Sequence, residues 1–153
     1  MEHYVTTYFG RNAKDFDSKL WLTQISQAYG IRYGVEHWRR DMPRSMASTI
    51  WQYNDCWPAP TWSMIDYYRR FKALQYQSKH FFAPVLVSGI PDPKTGKAEL
   101  HITSDRQKDV SGVLRWHYGS GPTLKIRRRP IRITSWPCAL GTRRLSTSPW
   151  INL

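Results

Sequence analysis

The spacing of the apolar residues changes character once, at Pro84, and that change limits the fold more than any other feature. Before it, "KDFDSKLWLTQISQAYGIRYGVEHWRRDMP" sets Trp21, Ile25, Ala28 and Tyr29 at helical spacing, which predicts a long helix with one apolar face. Asp15 or Asp17 is placed to cap its start, Arg39 and Arg40 suit its C-terminal dipole, and Pro43 ends it. Gly30 and Gly34 each cost about 1 kcal/mol inside a helix, which points to close packing there or to a break. A second helix is predicted over "SMIDYYRRFKALQYQSKHFFAP". There Met64, Tyr67, Phe71, Leu74, Ser78 and Phe81 recur three and four apart, with Ser63 and Asp66 at capping-box spacing. Between the two, "MASTIWQY" (46–53) is short, β-prone and uncharged, as in a parallel strand buried on both faces. After Pro84, "VLVS", "KAELHITSD" and "VSGVLRWHY" alternate and read as short strands, with a turn at "PDPKTGK". Helix, strand and helix followed by the opening of an all-β unit place a boundary near residues 83–85.

Beyond residue 116 the alternation stops. "HYGSGPTLKIRRRPIRITSWPCALGTRRLSTSPWINL" has no sustained period, and the charge changes with it. The net charge is +12, yet all eleven acids lie at or before Asp109, and from Arg115 onward there are eight cations and no anions. The first 114 residues therefore carry 15 minus 11, or +4. Such a segment reads as a disordered basic tail, or as codons translated out of frame. Nucleic-acid binding through "KIRRRPIRI" is a further and weaker reading, because the basicity is confined to this end. The start of the chain has no basic stretch followed by an apolar one, so no signal peptide is expected and a cytoplasmic location is. No apolar run approaches the ~20 residues that span a bilayer. Cys56 and Cys138 stand in unlike contexts without metal-binding spacing, which favours two free thiols over a disulfide. Neither a metal nor a cofactor is implied.

"WQYNDCWPAPTW" (51–62) is the stretch that carries a function. Three tryptophans and a tyrosine stand among Gln52, Asn54 and Asp55, too polar for a core strand and too aromatic for an ordinary loop. Flat apolar plates beside hydrogen-bonding groups suit a sugar, whose C–H faces stack on indole while its hydroxyls meet amides and carboxylates. Taken singly, Trp57 and Trp62 are explained as well by core packing. Trp51 together with Asn54 and Asp55 favours a site.

The run "SKLWLTQISQAYGIRYGVEHWRRDMPRSMASTIWQYNDCWPAPTWSMIDYYRRFKALQYQSKHFFAPVLVS" resembles the end of the catalytic barrel of β-mannosidases of glycoside hydrolase family 2. The resemblance covers roughly residues 4–116 and is most specific in its middle motif. It implies an α/β and then β chain: 1–83 the last strand and flanking helices of a (β/α)8 barrel, 84–116 the first strands of an immunoglobulin-like sandwich, and 117–153 an irregular basic tail. Residues 46–53 would be the eighth barrel strand, whose C-terminal end faces the active site. Trp51 would wall the subsite of the non-reducing mannose, with Gln52, Asn54, Asp55 and Trp57 lining or bracing it, and the partner would be a β-mannoside glycan.

Retaining glycosidases need two carboxyl groups about 5 Å apart. In the resembled family both are glutamates on earlier strands, and this chain is expected to start after them. Glu2 is terminal, Glu99 belongs to the β unit, and Glu36 on the first long helix suits a salt bridge to an arginine. A pair made from Asp55 and Asp66 is rejected, because helix capping accounts for Asp66. The five histidines are scattered, with no metalloprotease spacing or nucleophile elbow. With neither catalytic glutamate in it the chain alone is expected to be inactive, and because one barrel strand cannot close a barrel it is expected to be marginal or to aggregate. A carbohydrate-binding remnant without catalysis is the alternative.

Overall fold

The computed structural model describes residues 2–92, 94, 97–118, 125–133 and 141–145. Three helices come first, α1 (Glu2–Phe9), α2 (Phe16–Arg40) and α3 (Ala73–Phe81). Five strands follow, β1 (Val85–Asp92), β2 (Lys97–Ser104), β3 (Val110–Tyr118), β4 (Lys125–Ile133) and β5 (Gly141–Leu145). The chain divides into two compact units. The first joins Met1–Trp38 to Ala47–Ala83, and the second joins Arg39–Met46 to Pro84–Leu153.

In the first unit α2 forms as its spacing predicts. Asp15 caps it, accepting the Ser18 N–H at 2.7 Å, and Glu36 meets Arg32 at 2.7 Å. Gly30 and Gly34 neither break the helix nor sit under a close neighbour. A Cβ on Gly30 would lie 4.0 Å from the Tyr8 hydroxyl, and one on Gly34 3.7 Å from the Trp38 ring, both ordinary contacts. Gly30→Ala and Gly34→Ala are therefore each expected to stabilise the chain by up to about 1 kcal/mol. A urea-denaturation midpoint that falls in either variant would show a neighbour that the helix must accommodate.

The second helix is shorter than its stripe suggests. It begins at Ala73, and residues 63–72 form a turn in which Arg70 N–H and Nε–H both donate to the Asp66 carboxylate. Asp66 therefore serves this turn and caps no helix, while Tyr67 and Phe71 are exposed and only Leu74, Ser78 and Phe81 lie on the buried face. No side chain of its own caps α3. Gln24 of α2 substitutes, accepting the Ala73 N–H at 3.2 Å. The core of the unit is Ala28 and Val35 from α2, Met64 and Ile65, and Leu74 and Phe81 from α3, with Ile50 packed alongside.

Residues 46–53 are not a ladder strand. The segment is extended, and among the described residues it has no strand beside it; Asn54 alone forms an isolated parallel bridge, to Ile65. A parallel strand exists by virtue of its neighbours, and the sequence pattern of burial cannot supply them. The Met42–Pro43 and Trp51–Gln52 peptide bonds are cis.

The second unit has two antiparallel sheets, β1-β2-β5 and β3-β4. The hairpin β1–β2 pairs Val85 with Ser104 at its open end and Asp92 with Lys97 at its turn. Ile102 of β2 and Leu114 of β3 form a small core, flanked by Val85, Leu100 and Val110. Within this unit Arg39 pairs with Asp105 at 2.7 Å, and its carbonyl accepts the Thr103 hydroxyl. The C-terminal segment is not irregular where it is described. β4 pairs with β3 from Val110↔Ile133 to Tyr118↔Lys125, and β5 pairs with β2. Ladder hydrogen bonds are made by the backbone, so an edge partner forms without an alternating side-chain pattern to announce it. Cys56 is a free, exposed thiol, whereas Cys138 lies outside the described residues. Among the described residues no helix is long and apolar enough to cross a membrane.

Large apolar side chains stay at the surface of the first unit, among them Trp21, Tyr33, Trp57 and Phe71. Surface of that kind drives association when it is contiguous. The chain is expected to self-associate with rising concentration in sedimentation velocity. A monomeric profile at all concentrations together with a sharp cooperative melt would overturn this expectation.

Candidate functional site

Segment 51–62 and the turn after it, together with α1 and α2, enclose a cleft of about 560 Å³ in the first unit. That volume falls within the range of about 300–1,000 Å³ typical of ligand sites. Its walls carry six aromatic rings, from Tyr4, Tyr8, Trp51, Trp62, Tyr67 and Tyr68. Asp55, Asp66, Arg70 and Lys72 contribute the charged groups.

Asp55 is the fixed point of the site. Its carboxylate is buried, and Lys72 Nζ stands 3.0 Å from Oδ2. The Thr61 hydroxyl donates to Oδ1. Lys72 also donates to the Ser63 hydroxyl at 2.6 Å and reaches the Thr61 carbonyl at 3.5 Å. The backbone closes the same loop, with Asp55 N–H donating to Ile65 O at 3.0 Å and Met64 N–H to Gln52 O at 3.0 Å. Burial pushes the Asp55 carboxyl up. The hydrogen bonds from Thr61, Lys72 and Ser63 and the Lys72 charge outweigh it, and hold the group below the usual carboxylate range. The loop 55–63 is thus drawn tight around one ion pair. Gln27 of α2 anchors its far end, donating to the Trp62 carbonyl at 2.7 Å.

Two of the five residues singled out from sequence line this cleft, Trp51 and Asp55. Trp51 is 77% exposed, an indole with its face available. Gln52, Asn54 and Trp57 are not among the lining residues. Gln52 contributes its carbonyl to the loop, Asn54 donates to the Asp55 carbonyl at 3.2 Å, and Trp57 is 69% exposed. Sequence reasoning passed over Lys72, Tyr67, Tyr68 and Arg70. The "DYYRR" run was a usable signal, two aromatics beside an acid and a base, but the helical stripe absorbed it. Lys72 carried none, because its partner stands seventeen positions away.

Asp66, the second carboxylate of the cleft, is likewise held ionised. Burial raises it, but the Arg70 backbone and guanidinium donate to it and hold its carboxyl below the usual range. Among the described residues no group of three or more His, Cys, Asp or Glu side chains is placed to hold a metal ion.

No family model matches the chain. It is similar to curated β-mannosidase B proteins. That of Neosartorya fischeri is 32% identical over 146 residues, covering 84% of this chain and 17% of the relative. That of Aspergillus niger is 32% identical over 169 residues, covering 99% of this chain and 20% of the relative. A match of that extent takes in the basic C-terminal segment. Among solved structures, the β-D-mannosidase of Dictyoglomus thermophilum superposes with a TM-score of 0.70 at 27% identity, over 95% of this chain and 18% of that one. The exo-chitosanase of Amycolatopsis orientalis shares the fold, with a TM-score of 0.67 at 16% identity over 97% of this chain and 18% of that one. The chain thus spans 17–20% of the length of these curated relatives. Over most of its own length it is a homologue of the β-mannosidases of glycoside hydrolase family 2.

Proposed function

We propose that this chain is the substrate-holding part of a retaining β-mannosidase that removes terminal non-reducing β-D-mannose from oligosaccharides or glycoproteins. In this reading residues 46–53 take the place of the last strand of a (β/α)8 barrel, with α2 and α3 beside it. The second unit opens an immunoglobulin-like sandwich. The observation that carries the reading is the cleft in which the open indole of Trp51 stands with the locked carboxylate of Asp55, in a chain 32% identical to β-mannosidases.

The chain holds sugar but does not cleave it. A retaining site pairs one carboxylate nucleophile with a carboxylic acid whose pKa is raised. Both carboxylates of this cleft are shifted the other way and bound to cations. Glu36 is engaged with Arg32 on α2, and Glu99 lies in β2. The catalytic glutamates are supplied by sequence that this chain does not contain.

Purified chain is expected to release no nitrophenol from p-nitrophenyl β-D-mannoside, while mannose quenches its tryptophan fluorescence. Trp51→Ala should abolish that quenching. Turnover by the chain alone would overturn this division of labour, and fluorescence indifferent to mannose would overturn the sugar wall itself.

A further inference from the structure

Trp62 is the exposed member of a buried run. Thr61 is half-buried, Ser63 is fully buried, and Met64 and Ile65 enter the core. The indole among them is 61% exposed and lines the cleft. A large apolar side chain gains by leaving water, so this one is held out. Core packing, which explains Trp62 equally well on sequence grounds, does not describe it.

The hold is on the residues at either side. An ammonium has three protons to donate, and Lys72 directs all of them at the loop. They reach Asp55 Oδ2 at 3.0 Å, Ser63 Oγ at 2.6 Å and the Thr61 carbonyl at 3.5 Å. Thr61 and Ser63 are the two chain neighbours of Trp62, and the Ser63 N–H bridges them, donating to the Thr61 hydroxyl at 3.2 Å. The Trp62 carbonyl itself is taken by Gln27 Nε2 of α2 at 2.7 Å. Turning the indole inwards would break bonds to a cation whose side chain is only 14% exposed, where water cannot replace them. Lys72 borders the cleft, yet with its protons committed to the loop it acts on a ligand through that loop.

We propose that Trp62 contacts the bound sugar alongside Trp51, and that Lys72 is the positioning residue that holds its indole in the cleft. This rests on the sugar-wall reading of Trp51.

The test is a double-mutant cycle on mannose affinity, read by calorimetric titration of the full chain, with far-UV circular dichroism confirming the fold of each variant. Trp62→Ala is expected to weaken mannose about three- to tenfold, the worth of one aromatic contact. Ser63→Ala removes an acceptor of Lys72 at a site that is 0% exposed and cannot touch a ligand. Lys72→Arg keeps the charge beside Asp55 but not the compact ammonium on which the loop acceptors converge. Each is expected to weaken mannose by about two- to threefold in the parent, and to have no further effect in the Trp62→Ala background. Parental affinity in Trp62→Ala overturns the contact. Losses that persist undiminished without the indole, or parental affinity in both Ser63→Ala and Lys72→Arg, overturn the positioning role. Each of these results leaves the Trp51 wall standing. A parent chain that does not bind mannose overturns that wall and this inference with it.

Discussion

Asp55→Ala is expected to destabilise the first unit by about 3–5 kcal/mol, the cost of leaving one member of a buried ion pair without its partner. The side chain of Asp55 is 1% exposed and that of Lys72 14%, so water cannot replace what is removed. Lys72 would retain the Ser63 hydroxyl and the Thr61 carbonyl, two neutral acceptors for a full charge. Lys72→Met strands the carboxylate in the same way. Replacing both together, Asp55→Leu with Lys72→Met, should recover much of the loss, since desolvation is then relieved on both sides. The measurement is the urea midpoint followed by far-UV circular dichroism. Single variants within about 0.5 kcal/mol of the parent would show the pair to be incidental. The same pair fixes a pH dependence. Its folded-state pKa is depressed, so its stabilisation is present above the unfolded carboxylate value of about 3.9 and is lost as pH falls through the lower folded value. Stability should hold through the neutral range and drop on acidification. Asp55→Asn should flatten that acid limb, although Asp15 and Asp66, also lowered, keep part of it.

Phe81→Ala is expected to cost about 3–5 kcal/mol, because the ring is fully buried among Ala28, Val35 and Leu74 and its removal leaves a cavity. Phe82→Ala is the control. That ring is 44% exposed and packs edge-on against Phe81 at 4.9 Å, so about 1 kcal/mol is expected. Equal effects from the two neighbours would mean that the last turn of α3 is not oriented as described.

The sequence was informative wherever one local rule acted alone. α2 follows its apolar spacing and its Asp15 cap, and β1–β3 follow their alternation. It misled where two local rules competed. Residues 63–72 carry a helical apolar stripe, yet the Asp66 carboxylate satisfies the Arg70 N–H in a turn, and that turn chemistry prevailed over the spacing. The sequence was silent where structure depends on distant partners. Among the described residues, 46–53 have no neighbouring strand, and β4 and β5 owe their form to backbone pairing with β3 and β2. The site divides in the same way. Trp51 and Asp55, which line the cleft, stand in the local stretch 51–62 whose mixture of indoles and polar groups the sequence displays, whereas Lys72 could be found only once the loop had closed.

The order β1-β2-β5 also bears on how the second unit is made. β1 and β2 are joined by a short turn and can pair as soon as Ser104 is synthesised. β5 must then return to the other edge of β2 after the long segment between them, placing Gly141 beside Ser104. Closing so long an intervening segment costs entropy before any contact rewards it. During synthesis β2 therefore keeps one edge open until β5 emerges. A chain cut before Gly141 would carry that open edge permanently, as a template for pairing with other copies.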